Sequence, residues 1–428
     1  MIMPCGSGKS LSAYWIAEKL GAKRILVAVP SLALIRQTLD VWARESLASG
    51  RSIRWICVCS DESVGKVAND DISLLTQDLG VEVKSKPEDI SNWLKRKTTA
   101  ISVVFVTYHS GEMLSEASAD SNYSFDLGIF DEAHKTVGVR GKLFGHLLFD
   151  RNINIEKRLF MTATERRYQG VSENILSMDD PETYGDTFEL LSFKEALECD
   201  PPILCDYQIV TIAVTTKEIE TLIRSNVFVK PSSGKSVNEL EAKMLAAVIQ
   251  LRKTMKEYPL SHCISFHQSI ARAKAFQETN ENVSKTFPEY GELNTYHVTG
   301  AMPTSQRQEV LDEAISSDRS LITNSRCLTE GVDVKQIDGV LFADPKGSAV
   351  DIVQAVGRAL RPHKGKKMGY VLVPVILDSE KIEKRIEQSE AYADLLTVLR
   401  ALASNDERII EYFRSIAEGK RPTKGKKG

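Results

Sequence analysis

The chain is 428 residues long, 42% hydrophobic and 26% charged, a composition suited to a globular protein with room for two ordinary domains. No apolar run reaches the length a membrane span needs and no signal-peptide pattern opens the sequence, so neither a membrane protein nor a secreted one is indicated. Net charge is −3, from 55 basic and 58 acidic residues, so a polyanionic partner would be met by a local groove, not by the molecule as a whole.

In chain order, short apolar, β-branched runs at 24–29, 53–58, 101–107, 127–130 and 158–161 read as buried strands, with helical spacing at 31–46 and 87–97. A second set of strands is expected at 207–214, 263–266, 293–298, 319–323, 340–343 and 370–375. Such alternation predicts an α/β fold of two doubly wound parallel sheets with helices on both faces. Pro201-Pro202 interrupts the pattern and places the boundary near 199–206, giving domains at 1–205 and 206–378. SMDDPETYGD (177–186) reads as a loop reaching toward that boundary, PSSGK (231–235) as a turn, and 237–256 as a helix. Residues 379–428 form an extension that is helical and charged from Ile382. It ends in a disordered basic tail carrying Lys420, Arg421, Lys424, Lys426 and Lys427. Seven cysteines, an odd number with no C-x-x-C pair, argue against a disulfide framework and a zinc site; they read as reduced, cytoplasmic and structural. Cys57 and Cys59 are expected to point to opposite faces of a strand.

The chemistry begins at Gly6-Ser7-Gly8-Lys9-Ser10, followed at once by a helical segment. Glycines let backbone N–H groups wrap a phosphate, and the helix directs its positive end at the same anion. Lys9 would reach the β- and γ-phosphates of ATP and Ser10 would bind Mg²⁺. The usual pattern has Gly where Met3 stands, so taken alone the run fits a chance Gly-rich turn equally well. Downstream, 127–130 is an apolar strand ending in Asp131 and Glu132, at the edge where an open α/β sheet does its ligand chemistry. Asp131 would hold Mg²⁺ and Glu132 would deprotonate the attacking water. Thr162 and Thr164 flank Ala163 after the next strand; in isolation they say nothing. In Gln354-Ala355-Val356-Gly357-Arg358-Ala359-Leu360-Arg361, helical spacing puts Gln354, Arg358 and Arg361 on one face. Two guanidiniums there would neutralise charge on a transferring phosphoryl group, or else form a surface basic helix.

Together these stretches resemble the superfamily 2 helicases of DEAH-box type, over roughly residues 1–375. PCGSGKS resembles their motif I, VAVPSLALIRQ (27–37) motif Ia, and VFVTYHS (104–110) the nearby nucleic-acid-contacting segment. DEAH (131–134) is similar to motif II, TAT (162–164) to motif III, CISFHQSIARAKAF (263–276) to motif IV, TNSRCLTEGVDV (323–334) to motif V and QAVGRALR to motif VI. The resemblance implies two RecA-like domains with ATP in the cleft between them. It implies catalytic roles for Lys9, Asp131, Glu132, Gln354, Arg358 and Arg361. Coupling would run through His134, Thr162 and Thr164, with Gly331 and Asp333 near the γ-phosphate. Thr107 and Thr323 would touch the nucleic-acid backbone. The wording of YGDTFELLSFKEAL, LTEGVDV and GRALR is most similar to restriction-type and phage-related DNA helicases.

The expected function is an ATP-dependent DNA helicase or translocase that grips phosphates with little sequence preference, alternately closing and opening its cleft. Three alternatives stay open. An RNA helicase would show in the polymer that stimulates its ATPase, and a translocase that does not unwind in strand displacement set beside triplex displacement. A non-motor binding module would show in a decayed site, against which the intact Lys9, Asp131, Glu132, Arg358 and Arg361 speak. Asp78 with Glu82-Val83-Lys84 has the letters of a metal-nuclease core but falls inside the motor, where a surface segment is expected. Five residues precede the phosphate loop, half of the strand that should feed it, and no adenine-recognising segment stands upstream. The expectation is a truncated motor, one completed by a separate N-terminal piece, or part of a larger multi-subunit enzyme. Alone it would bind ATP weakly, discriminate poorly against GTP and tend to aggregate.

Overall fold

The computed structural model describes residues 1–59, 81–139, 143–167, 175–215, 239–300, 302, 304–325, 328, 334–344, 349–377, 390–403 and 406–411. These form two compact units, one from Met1–Ser192 and a second that begins at Phe193. The division falls ahead of Pro201-Pro202, and residues 193–205 cluster with the second unit, where the Cys205 amide bonds the Leu360 carbonyl at 2.9 Å.

In the first unit the strands are β1 (Arg24–Val29), β2 (Ile53–Val58), β3 (Val83–Lys84), β4 (Ile101–Thr107), β5 (Phe125–Phe130), β6 (Gly138–Val139), β7 (Ile155–Phe160) and β8 (Ile175–Leu176). Six make a parallel sheet in the order β3-β2-β4-β1-β5-β7, and β6 pairs β8 antiparallel. The central strands are apolar throughout because both faces are covered. On β1 and β4, Val27 and Phe105 enter one core while Leu26, Ala28, Val104 and Val106 enter the other. Each large side chain so buried contributes about 1.5–3 kcal/mol. Trp42, on the helix Leu32–Ala48, fills the first core between Tyr14 and Phe105, at ring separations of 5.3 and 6.2 Å. Its indole N–H reaches the Ser10 carbonyl at 3.0 Å and so fixes the first turn of the helix Lys9–Lys19.

Three expectations meet their outcome in this unit. Cys57 and Cys59 lie in the same core, not on opposite faces, because residues two apart on extended chain point the same way. The hydrogen bond with Cys59, and then burial, hold the Cys57 thiol well above its usual range. Residues 1–3 carry rungs of a strand: Ile2 bridges Thr162 on one side and Leu190 on the other, both parallel, with Met1 and Met3 buried. Glu82 and Lys84 pair with each other at 2.8 Å on the sheet's edge strand, and Asp78 lies outside the described residues.

The second unit holds β9 (Asp206–Thr215), β10 (His262–Phe266), β11 (Asn294–His297), β12 (Ser320–Asn324), β13 (Gly339–Phe342) and β14 (Met368–Leu377), all parallel in the order β11-β12-β10-β13-β14-β9. The helix Glu239–Glu257 buries Leu245, Val248, Ile249 and Leu251 against the sheet. The same helix buries Arg252, whose guanidinium donates to the Asn280 side chain at 2.8 Å and to the carbonyls of Asn280 and Gly291. Burial lowers its pKa to about 10. The helix Ala349–Ala359 packs so closely on β14 that a Cβ at Gly369 would stand 2.5 Å from the Ala359 carbonyl oxygen. The expected turn at 231–235, the start of the 237–256 helix, the stretch from Ile382 to 389 and the basic tail lie outside the described residues. Farther on, Glu390–Ala403 is helical.

Candidate nucleotide and nucleic-acid site

The phosphate loop leaves the sheet beside the chain that follows β7, since the Met3 amide donates to the Thr162 carbonyl at 3.0 Å. Gly6 and Gly8 have φ of 83° and 94°, a left-handed backbone that glycine adopts without strain, and nothing stands within 4 Å of where a Gly8 Cβ would be. Lys9 begins the helix and is buried, its ammonium 3.4 Å from the carbonyls of Met3 and Pro4. These are long contacts, of the kind an anion displaces. Open backbone, a helix N-terminus and a buried lysine together fit a polyphosphate.

One strand farther into the sheet, β5 delivers Asp131 and Glu132 to the same C-terminal edge. Two strand spacings put the acids about 10 Å along the edge from the loop. The Asp131 amide bonds the Ala28 carbonyl, and the Ala133 amide bonds that of Met161, both at 2.9 Å, pinning the turn to the strands on either side. Glu132 takes φ 51°, left-handed in a non-glycine residue, a strain that such sites hold in place with their surroundings. Its Oε2 is buried without a hydrogen bond, and His134 Nδ1 lies 3.4 Å from it. That ring nitrogen also meets the Thr162 hydroxyl at 3.1 Å, and Thr162 Oγ1 donates to the Thr164 carbonyl at 2.8 Å. The acid turn and the TAT stretch are thus one hydrogen-bonded unit. Among the described residues no group of three or more His, Cys, Asp or Glu could hold a metal. A magnesium ion here would rest on Asp131, the Ser10 hydroxyl and phosphate oxygens, the sparse protein ligation usual for that ion.

Tyr108 escaped the sequence reading. It is fully buried and donates from its hydroxyl to the Asp131 carbonyl at 2.7 Å. Burial, then the charges of Asp131 and Glu132, hold its phenol well above the usual range, so it remains a donor. The signal was a tyrosine at the C-terminal end of a buried strand, the residue after Thr107. Tyr184 acts alike, its hydroxyl 2.8 Å from that of Thr136 just beyond the acid turn.

Other predicted residues fall differently. Thr107 is buried, its hydroxyl donating to Ser110 Oγ at 3.1 Å. Thr323 is buried too, its hydroxyl 2.9 Å from His297 Nδ1. Neither hydroxyl stands at a surface where a backbone phosphate would meet it. Gln354 and Arg358 lie on the helix Ala349–Ala359 and are mostly buried, but Arg361 is two residues past its end, so the shared-face argument does not reach it. Pro362 explains the stop, because the residue before proline is driven out of the helical region. Gly331 and Asp333 lie outside the described residues.

Two parallel α/β sheets, one bearing a phosphate loop and an Asp-Glu turn on its C-terminal edge, define a RecA-like nucleotide-binding class of protein. Family comparisons carry this further. The family described as "Type III restriction enzyme, res subunit" matches residues 1–167, and "Helicase conserved C-terminal domain" matches 245–363. The "Probable helicase A859L" of African swine fever virus (isolate Pig/Kenya/KEN-50/1950) is 24% identical over 421 residues, 97% of this chain and 42% of that protein. Among solved structures, the ATP-dependent Type ISP restriction-modification enzyme LlaBIII bound to DNA is 28% identical with a TM-score of 0.82, covering 98% of this chain and 29% of that one. A nuclease-deletion mutant of the Type ISP enzyme LlaGI, in complex with a DNA substrate mimic, is 25% identical with a TM-score of 0.64, covering 97% of this chain and 28% of that one. These matches support a superfamily 2 helicase related to restriction-type enzymes. The chain spans less than half the length of each of these relatives. No helix among the described residues is long and apolar enough to cross a membrane.

Proposed function

We propose that this chain is an ATP-driven motor core that moves along DNA, a nucleic-acid-dependent ATPase of helicase or translocase type serving as the motor module of a larger enzyme. The observation that carries the reading is the Glu132 carboxylate: strained, buried and with an oxygen that makes no hydrogen bond, on the same sheet edge as the phosphate loop. A buried acid is costly to leave unmet unless something else completes its shell. A water about to attack a phosphoryl group does so. The choice of DNA is supported by the likeness over nearly the whole chain to a restriction-modification enzyme solved with DNA.

ATP supplies the phosphoryl group whose transfer to water drives the cycle. The amides of Gly6, Ser7 and Gly8 would hold its phosphates, with Lys9 neutralising charge, and Ser10 and Asp131 would hold Mg²⁺. Glu132 takes the proton from water, and the strained turn keeps it aimed. His134, bonded to Thr162 and through it to Thr164, ties the state of the acid turn to the adjoining backbone. Gln354, Arg358 and Arg361 are the candidates for stabilising charge on the transferring group, and Gly331 and Asp333 are the candidates for residues near the γ-phosphate.

The deciding experiment compares ATPase rates with single-stranded DNA, duplex DNA and RNA over a range of salt. Stimulation by DNA above RNA is expected, with binding that weakens steeply as salt rises and varies little with sequence. Stimulation by RNA alone, or by no polymer, would overturn the reading.

A further inference from the structure

The outer edge of the first sheet carries no role in the scheme above. Beyond β7 the sheet is continued by residues 1–3 and then by the chain around Leu190, which bridges Ile2 in parallel. The Ile2 amide donates to the Glu189 carbonyl and the Leu191 amide to the Ile2 carbonyl, both at 2.9 Å. Those bonds turn the groups on either side of Leu190 inward, so its own amide and carbonyl point away from the sheet. Among the described residues they meet no hydrogen-bond partner, nor do those of Phe188, two residues earlier and so directed the same way. Met1, Met3 and Leu191 pack into the first core, whereas Phe188 and Leu190 are 62% and 60% exposed. Open ladder groups beside large apolar side chains are what edge strands commonly avoid, by lysine, proline or a covering element. Here no lysine or arginine stands between Arg167 and Lys194, and the single proline there, Pro181, opens a short helix. The exposed charges of the stretch, Asp179, Glu182, Asp186 and Glu189, are all acidic, which sets this edge against nucleic acid.

We propose that this edge docks one extended strand from another part of the larger enzyme, with apolar residues alternating with lysine or arginine. The strand's backbone accepts from the Phe188 and Leu190 amides and donates to their carbonyls, the mode by which a sheet edge takes a peptide. Its apolar side chains cover Phe188 and Leu190, and its cations meet Asp186 and Glu189. The choice of source rests on the motor reading above and on the relatives, of whose length this chain spans less than half. A second copy fits less well, because two such edges side by side would bring like charges together.

The test uses the full chain and, as probe, a short fluorescein-labelled peptide of alternating lysine and valine. Its control is a peptide of the same composition with the lysines and valines in separate blocks. Fluorescence anisotropy should show the alternating peptide binding about tenfold more tightly than the block peptide, and the amides of Phe188 and Leu190 should exchange more slowly in the complex. Leu190→Pro removes the outward amide but leaves the bonds of Glu189 and Leu191 to Ile2, and proline is tolerated on an edge strand. It should weaken the alternating peptide about tenfold and leave DNA-stimulated ATPase unchanged. Phe188→Lys, at an exposed position, should weaken it too by repelling the lysines, and it decides if Leu190→Pro does not fold. Equal binding of the two peptides, binding that neither substitution diminishes, or unchanged exchange at Phe188 and Leu190 would each overturn the proposal. A wild-type dimer in light scattering that Phe188→Lys dissolves would give the edge to a second copy and overturn it as well. A wild-type ATPase that no DNA stimulates would refute the motor reading instead, and the peptide measurements would still decide the edge.

Discussion

The two sheets present acids at equivalent edges, beyond the C-terminal ends of parallel strands, and treat them in opposite ways. In the first unit Glu132 is strained, and its Oε2 makes no hydrogen bond. In the second, Asp344 is met by an arginine, a backbone amide and a histidine. A saturated acid is architecture, since adding a ligand there would first cost the bonds already made. An acid held short of partners by a rigid turn is prepared for a ligand. Under the proposed function, Glu132 stands on the chemical side of this contrast and Asp344 on the scaffolding side.

The largest expected effect tests the unsaturated side. Glu132→Gln should lower ATP turnover by roughly 10²–10⁴-fold while sparing nucleotide binding, as removal of a general base does. Lys9→Ala should abolish turnover and also weaken binding, because a cation that meets phosphate throughout serves ground and transition states alike. Single-turnover hydrolysis beside equilibrium nucleotide binding separates the two, and normal turnover in Glu132→Gln would remove it from the base role. Next comes Arg358, where Arg358→Ala should slow hydrolysis by roughly 10³-fold or more with ATP affinity nearly unchanged, as expected of a charge-stabilising finger. Arg361→Ala, beyond the end of the helix, makes the more informative comparison. If both lose as much, position on the helix is irrelevant to the role.

Most of the framework was legible in the sequence because parallel strands buried on both faces are runs of apolar residues that helices cannot mimic at that length. The eleven expected strands overlap β1, β2, β4, β5, β7 and the six strands of the second sheet. β3, β6 and β8, of two residues each, were too short for any periodicity to show. Phosphate loop and acid turn were legible because glycines and paired acids are rare in such strands. What escaped was the direction of side chains within a stretch already singled out. Thr107 was chosen where Tyr108 makes the bond to the acid turn, and Thr323 is turned inward to His297. The partners of Asp344 were equally unreadable, since they lie far from it along the chain and only tertiary pairing brings them together.

A smaller effect probes the packing that carries Arg358. At Gly369 the backbone of β14 approaches the end of the arginine's helix, and an added methyl would stand 2.5 Å from a carbonyl oxygen that cannot swing aside. Gly369→Ala should therefore cost about 1–3 kcal/mol by overpacking, seen as a lowered denaturant midpoint. A Gly8→Ala change meets no atom within 4 Å and would be strained only by its φ of 94°. It should leave stability closer to wild type and act on nucleotide binding. The pair thus contrasts a glycine kept for packing with one kept for a ligand.

The smallest effect concerns acidity, and it asks whether a saturated acid is architectural wherever it occurs. Asp406 lies just beyond the helix Glu390–Ala403, is buried, accepts the Tyr207 hydroxyl at 2.8 Å and pairs with Arg408 at 2.8 Å. Arg408 also reaches Asp206 at 3.0 Å, so the cluster fastens the C-terminal helical segment to the start of β9. Burial disfavours the charged form of Asp406, but the bonds from Arg408 and Tyr207 prevail and its carboxyl lies below its ordinary value of 3.8. A carboxyl whose folded value is depressed gives stability that is complete above its unfolded value and is lost as pH falls through the folded one. The wild-type chain should therefore exceed Asp406→Asn in stability by a constant margin at neutral pH. That margin should be about 1–3 kcal/mol for charged hydrogen bonds lost in a buried place. Below about pH 4 it should shrink as the wild-type carboxyl takes up a proton. Denaturant midpoints for both proteins from pH 7 down to pH 3 would show this, and a margin that grew on acidification would mean the carboxylate is held against its preference and does not fasten the segment.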